Sequence, residues 1–371
     1  MIASCLCVTL STLLQVAPRR LRGSLFSAQK KVLPMKLPSI LLPAARAACA
    51  AGLAFGVSAS IASAADQVTF QLDWLPGGDK APIYVCIHQG FCAEHGLDVT
   101  INGGRGSSEA ITFLATGRAD IGTGGIEAVM AAIANDQVPV KAVASVYTRA
   151  PHAFYTLKSS GIDTLEAVDG KHVVTSPFTS SNVFLPLVLK ELGLSEESIQ
   201  LTRADPGALG PMLMTGSADV MIAWMTDVTR YTNQASAAGH ELNIMPWSTG
   251  GLDLYGLVLI AADKFIEERP EVAQRFVDAF RESVRFTYEN PELAAESVAA
   301  MVPELEMENV VGSVRDMLVL AFNEVTETDG QGALTPERLA QTWEWVSQAQ
   351  ELDMDALDPE AVVDRRFLPG N

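Results

Sequence analysis

One short pattern occurs twice in this chain, and it constrains the fold more than any other feature. Phe113 to Gly122 reads FLATGRADIG and Met212 to Met221 reads MLMTGSADVM. Each is an apolar helix tail closed by Thr-Gly, followed by Ala-Asp and a short apolar strand. Two matched helix–strand units predict two α/β lobes of similar build with a cleft between them. The fold class expected is therefore α/β, with mostly parallel sheets in both lobes and a hinge at the cleft.

Charge narrows the partners. The chain has 371 residues and a formal net charge of -18. Residues 1–64 contain Arg19, Arg20, Arg22, Lys30, Lys31, Lys36 and Arg46 and no acidic residue, so the remainder is more acidic still. Such a field opposes binding to nucleic acid or to an anionic membrane. Lys36, the small apolar run from Pro38 to Ile61 and Ala62-Ser63-Ala64 read as a secretory leader cut before Ala65, with Met35 the more ordinary start. This predicts export to a periplasm. Past the cut only Cys86 and Cys92 remain, and their spacing reads as two small buried residues rather than a disulfide or a zinc site.

Beyond the leader, the expected division is 65–157 as the first part of lobe one and 158–246 as lobe two. Residues 247–371 would return to lobe one and continue as C-terminal helices. Crossings between lobes are expected near 153–160 and 247–257. A helix should run from Pro82 to about Glu94, and strands are expected at 97–101, 119–122, 140–146, 152–157, 172–175, 199–202 and 254–260.

In open parallel sheets, ligands bind beyond the carboxyl ends of strands. The loop Asp73-Trp74-Leu75-Pro76-Gly77-Gly78-Asp79 is such an end. Trp74 suits stacking on a flat ligand, or covers the edge of lobe one. Asp79 either caps the next helix or meets an amine; Lys80 and Tyr84 follow on that helix start. Arg105, Ser107 and their glycine neighbours open another helix, where polar or anionic groups are favoured. Gly125 and Glu127 follow the first copy of the repeat. In lobe two, Ser176, Phe178, Thr179, Ser180 and Asn182 crowd hydroxyls and an amide beside an aromatic ring before a helix. Trp224 and Asp227 end the second copy, with Trp224 either a core plug or a ligand contact. Tyr147, Tyr155 and Tyr255 lie at the crossings and serve either the cleft or packing.

Catalytic machinery is not visible. His88, His95, His152, His172 and His240 are scattered, and neither a G-x-S-x-G nor an H-E-x-x-H motif is present. No cofactor lysine and no metal-ligand cluster can be identified, so no catalytic residue, metal or cofactor is assigned.

The stretch from Asp73 to Tyr84, then Gly90 to Val99 and later LATGRADIG, resembles the thiamine-pyrimidine-synthase-like solute-binding family over most of the exported chain. That family is related to periplasmic receptors of ABC importers, including those for taurine, other sulfonates and nitrate. The resemblance implies a type II two-lobed periplasmic-binding-protein fold, a monomer, and an ABC permease as partner. Its ligand would be a small polar aromatic molecule, a thiamine-precursor-like pyrimidine or related nitrogen heterocycle. It places Trp74, the 79–84 helix start and the 104–108, 124–127 and 176–182 loops around that ligand. The alternatives are a sulfonate or nitrate receptor, for which Arg105, Arg149 and Arg203 are the candidate contacts, and a pyrimidine-biosynthesis enzyme. Fungal relatives look like synthases with a histidine in the opening loop and a cysteine-rich iron motif. Here Lys80 stands at that position and no cysteine follows Cys92, which argues against synthase chemistry.

Overall fold

The computed structural model describes residues 64–369 except Asp253. The leader read in residues 1–64 lies outside the described residues up to residue 63. No described helix is long and apolar enough to cross a membrane.

Ten strands form two five-stranded sheets built on one plan. In chain order they are β1 (Asp66–Gln71), β2 (Leu97–Asn102), β3 (Ile121–Gly125), β4 (Val140–Ser145), β5 (His152–Leu157), β6 (His172–Thr175), β7 (Gln200–Arg203), β8 (Val220–Trp224), β9 (Leu242–Pro246) and β10 (Leu257–Ala262). The first sheet has the order β2-β1-β3-β10-β4 and the second β7-β6-β8-β5-β9. In each, three neighbouring strands are parallel and the fourth runs against them. That antiparallel strand is the one by which the chain arrives from the other lobe. Four of the five strands in each sheet thus run the same way, as the repeating strand–helix order predicted, and one opposed strand makes each sheet mixed.

The repeated pattern occupies equivalent places. Its helices are Ser107–Ala115 and Pro206–Met214, and its strands are β3 and β8. The repeated threonines donate to carbonyls one turn back, Thr116 to Thr112 at 2.7 Å and Thr215 to Pro211 at 2.8 Å. The repeated aspartates do one job twice. Asp120 accepts from the Thr69 N–H in β1 at 2.7 Å, and Asp219 accepts from the His172 N–H in β6 at 2.9 Å. Each pins the central strand to its neighbour at the end away from the cleft.

Three expectations change. His152–Leu157 is a strand, but it pairs with β8 and β9 in the second sheet, so the chain leaves lobe one at 146–151 rather than at 153–160. The second crossing spans 247–256, and the two crossings bond to each other through Tyr147 and Gly256. Next, the C-terminal helices do not simply return to lobe one. Met307–Ala321 packs on both Gly78–Lys80 and Val228–Ala237, and Asp316 accepts from the Thr229 N–H at 2.9 Å. Pro336–Ala349 likewise touches helices of both lobes, Ile126–Asp136 and Ser181–Glu191.

Finally, Cys86 and Cys92 are joined in a disulfide with Cα atoms 5.0 Å apart. A continuous helix from Pro82 to Glu94 would hold them apart. Instead Gly90, at φ 93°, breaks it into Ala81–His88 and Phe91–Glu94 and folds the second piece back. Spacing alone could not reveal that kink.

Candidate functional site

Beyond the carboxyl ends of β1, β6 and β8, the lobes enclose a cavity with about 360 Å³ of empty space. Lobe one contributes Asp73, Trp74, Asp79, Lys80, Gly106 and Ser107; lobe two contributes Thr179, Ile222, Ala223, Trp224, Thr226 and Asp227. The lobes touch over it. Ser176 donates to the Arg105 carbonyl at 3.1 Å, and the Ser108 N–H donates to the Phe178 carbonyl at 3.1 Å. Gly106, at φ 155°, lies so close to Phe178 that a Cβ would come within 2.1 Å of its backbone.

The floor is a buried ion cluster. The Lys80 ammonium sits 2.9 Å from Asp73 and 2.8 Å from Asp79, with its side chain 2% exposed. Burial pushes the Lys80 pKa down, but the Asp73 and Asp79 carboxylates outweigh it and hold it well above the ordinary value. Thr123 donates to Asp73 at 2.6 Å, and the Tyr147 hydroxyl donates to the Asp79 carbonyl at 3.0 Å. The same ammonium lies 5.6 Å from the centre of the Trp224 ring.

Two indoles complete the walls. Trp74 Nε1 and Trp224 Nε1 are both buried, and neither has a hydrogen-bond partner among the described residues. A buried N–H without an acceptor is costly, and both tryptophans line the cavity. Opposite them, Asp227 is bonded through one oxygen to Arg230 at 3.3 Å. Burial, opposed by Arg230 and reinforced by Asp79, pushes its carboxyl up to about 6 from an ordinary 3.8.

That shift fixes a sign. The native state holds the Asp227 proton more tightly than the unfolded chain, so its ionisation weakens folding as pH rises from about 4 through 6. Asp227→Asn removes the penalty. Relative to wild type it is expected to gain stability between pH 4 and pH 8 by an amount on the order of 1–3 kcal/mol, read by urea unfolding of the ligand-free protein. An equal difference at both pH values would contradict this.

Seven of the residues singled out from sequence line the cavity: Trp74, Asp79, Lys80, Ser107, Thr179, Trp224 and Asp227. Others serve its frame. Tyr155 is wholly buried and donates to the Trp224 carbonyl at 2.7 Å, fixing the end of β8. Asn182 donates to the Ser176 carbonyl at 2.9 Å, and Ser176 bridges to lobe one as above. Tyr84 is buried in lobe one, with its pKa pushed up to about 12 by burial. Phe178 lies under the Arg105 guanidinium, 5.1 Å from ring centre to carbon. Arg105 itself is half exposed, pairs with Glu109, and does not line the cavity. Arg149 pairs with Glu324, and Arg203 is exposed, so neither enters the cavity wall.

Gly125, Glu127 and Ser180 form a second polar nucleus behind the cavity. Glu127, fully buried in lobe one, lies 3.2 Å from His152 Nε2 in lobe two. His152 Nδ1 is 2.9 Å from the Ser181 hydroxyl. The order Ser–His–Glu has the outline of a catalytic triad, yet all three are at most 1% exposed and none lines the cleft cavity. Rings of Phe184, Trp224 and Trp247 surround the imidazole. Sequence reading named Glu127 but missed His152, a lone histidine with no motif around it. It also missed Asp73 and Thr226, whose roles depend on which neighbour the fold brings. Among the described residues no group of three or more His, Cys, Asp or Glu is arranged to hold a metal ion.

Comparison with known proteins agrees with this architecture. A formylaminopyrimidine-binding protein from Halalkalibacterium halodurans is 27% identical over 239 residues, covering 64% of this chain and 71% of its own. The riboflavin-binding protein RibY from Chloroflexus aurantiacus is 23% identical, covering 82% of this chain and 86% of its own. The periplasmic aliphatic sulphonate-binding protein SsuA from Escherichia coli superposes with a TM-score of 0.61 at 16% identity, covering 82% of this chain and 97% of its own. The likeness to SsuA shows the two-lobed fold of periplasmic binding proteins. The family model described as NMT1/THI5 like matches residues 78–294, more than half the chain, and this protein belongs to that family.

Proposed function

We propose that this protein is the solute receptor of an ABC importer, and that it closes on a flat nitrogen heterocycle, in the first instance an aminopyrimidine related to thiamine precursors. One observation carries the reading. The cleft is lined by two tryptophans whose buried indole N–H groups have no partner among the described residues, and by carboxylate acceptors, a set that suits a ring nitrogen next to an amino group. Trp74 and Trp224 sandwich or edge the ring, and Asp79 and Asp227 accept from its amino group. Closure presents surfaces of both lobes to a permease. The Cys86–Cys92 disulfide supports an oxidising compartment, in keeping with a leader cleaved near Ala64 and a periplasmic site of action.

The sulfonate or nitrate reading is supported less, because the cavity wall holds three aspartates and Lys80 is already paired with two of them. The synthase reading needs an accessible base and a reactive centre; the buried His152 supplies neither.

The test begins with protein unfolded and refolded to remove carried-over ligand. Its melting temperature is then followed against aminopyrimidines, riboflavin, taurine and nitrate. A ligand at a hundred times its Kd should add about 2.7 kcal/mol. A saturable rise with an aminopyrimidine is expected, and Trp74→Ala or Trp224→Ala should weaken it by roughly tenfold or more, since each removes a ring face and a donor. A rise only with taurine or nitrate would refute the heterocycle. Turnover of the pyrimidine at catalytic protein concentration would refute the receptor.

A further inference from the structure

The cleft cavity is not closed on every side. Past Trp74, Asp79 and Asp227 it adjoins an outer chamber with about 980 Å³ of empty space. Three segments wall this chamber: the Trp74 to Asp79 loop of lobe one, Asp227 and Arg230 of lobe two, and residues 302–313 before and within the helix that straddles both lobes. The three residues shared by both spaces form the junction between them.

The charges around that junction do not balance. Lys80 is held between Asp73 and Asp79, so its positive charge is already committed at the floor. Arg230 is the other cation; it bonds one oxygen of Asp227 and lays its guanidinium 5.0 Å from the centre of the Tyr231 ring. Against them stand Asp73, Asp79 and Asp227, with Glu304 and Glu306 on the outer wall. Asp79 and Asp227 are each 9% exposed; burial raises the cost of ionising both, Asp73 adds to it at Asp79, and Asp79 adds to it at Asp227. Nearly buried carboxylates are stable together only when cations or strong donors match them, and here three aspartates meet two cations. The neighbouring indole N–H of Trp74, buried and without a partner among the described residues, has the opposite need, for an acceptor such as a ring nitrogen.

We infer that the ligand binds as a cation, a flat heterocycle whose positively charged substituent sits between Asp79 and Asp227 and extends toward Glu304 and Glu306. The inference rests on the receptor reading above and makes it narrower. The ring occupies the inner cavity against the indoles, while the substituent occupies the junction. A neutral substituent leaves three aspartates facing two cations, Lys80 and Arg230. A phosphate or sulfonate there adds a further negative charge and is rejected.

Three probes that differ only at one substituent test this by calorimetry on the refolded full chain at pH 7.5. They are 4-amino-5-aminomethyl-2-methylpyrimidine, its neutral 5-hydroxymethyl analogue, and the phosphate ester of the latter. The aminomethyl probe should bind at least about tenfold tighter than the hydroxymethyl one, and the phosphate weakest of the three. Asp227→Asn should bring the ratio of the first two affinities close to one, which locates the charge at this junction. Equal affinity of the cationic and neutral probes in wild type overturns the inference and leaves the heterocycle receptor standing, as does tightest binding of the phosphate. An undiminished ratio in Asp227→Asn, with its melting transition intact, overturns the placement. Failure of all three to bind removes the aminopyrimidine reading itself.

Discussion

Lys80→Ala is expected to destabilise the ligand-free protein by about 3–5 kcal/mol and to abolish ligand binding. The side chain is 2% exposed and its ammonium lies within 3 Å of both Asp73 and Asp79. Removing it leaves two carboxylates at the floor of the cleft with no cation, in a place where water cannot solvate them. Coulomb attraction across such distances is several times stronger here than at the surface. Thr123 and Tyr147 remain, but each contributes one neutral hydrogen bond, and the one from Tyr147 reaches only the Asp79 backbone. Urea unfolding at neutral pH reads the loss directly. The deficit should shrink in acid, as Asp79, whose pKa burial raises, takes up a proton and no longer requires a partner. A cost below about 1 kcal/mol at neutral pH would mean that the cluster is hydrated and the cleft open.

His152→Leu is expected to cost about 3 kcal/mol or more, for the same reason applied to a different pair. Glu127 is fully buried, and His152 Nε2 in lobe two lies 3.2 Å from one of its oxygens, close enough for charge pairing although neither group completes a hydrogen bond. The imidazole also meets the rings of Phe184, Trp224 and Trp247, so the substitution keeps the apolar contacts while removing the polar partner. A second change separates the two effects. Adding Glu127→Leu to His152→Leu should recover most of the loss, because an apolar pair of similar volume carries no desolvation penalty. If the double variant is no more stable than His152→Leu, the defect is one of packing and not of an orphaned carboxylate. His152 begins β5, just after the first crossing, and Trp247 begins the second. The pair therefore sits where any change in lobe angle must act.

Both predictions concern groups that the sequence presented unevenly. Lys80 and Asp79 stood in a Gly-rich loop after a strand, a place where ligand contact and helix capping look alike. Asp73 passed as a strand-end residue, because its value comes from Lys80, seven residues on, and Thr123, in another strand. Glu127 read as part of a loop around the ligand, and it is instead a buried neighbour of a histidine whose own surroundings carry no motif. Arg105 read as a possible anion contact from its place at a helix start, yet its side chain pairs with Glu109 one turn on and does not line the cavity. Helix-start chemistry specifies backbone direction, while side-chain direction depends on the local frame.

The sequence by itself determined the two-lobed α/β plan, because the repeat encodes local structure: Thr-Gly ends a helix, Ala-Asp begins a strand, and the aspartate bonds the neighbouring strand in both lobes. It also determined that the loops after β1, β6 and β8 would meet at a cleft, since parallel strands present their carboxyl ends together. Only the tertiary structure decided the rest. Which sheet takes β5 depends on a crossing that comes earlier in the chain than the pattern suggested. Whether Cys86 meets Cys92 depends on one left-handed glycine. Which carboxylates face the ligand depends on long-range pairing with Lys80, Arg230 and His152. Local periodicity fixes elements; charge pairing across tens of residues of sequence has no local signature and appears only when the lobes close.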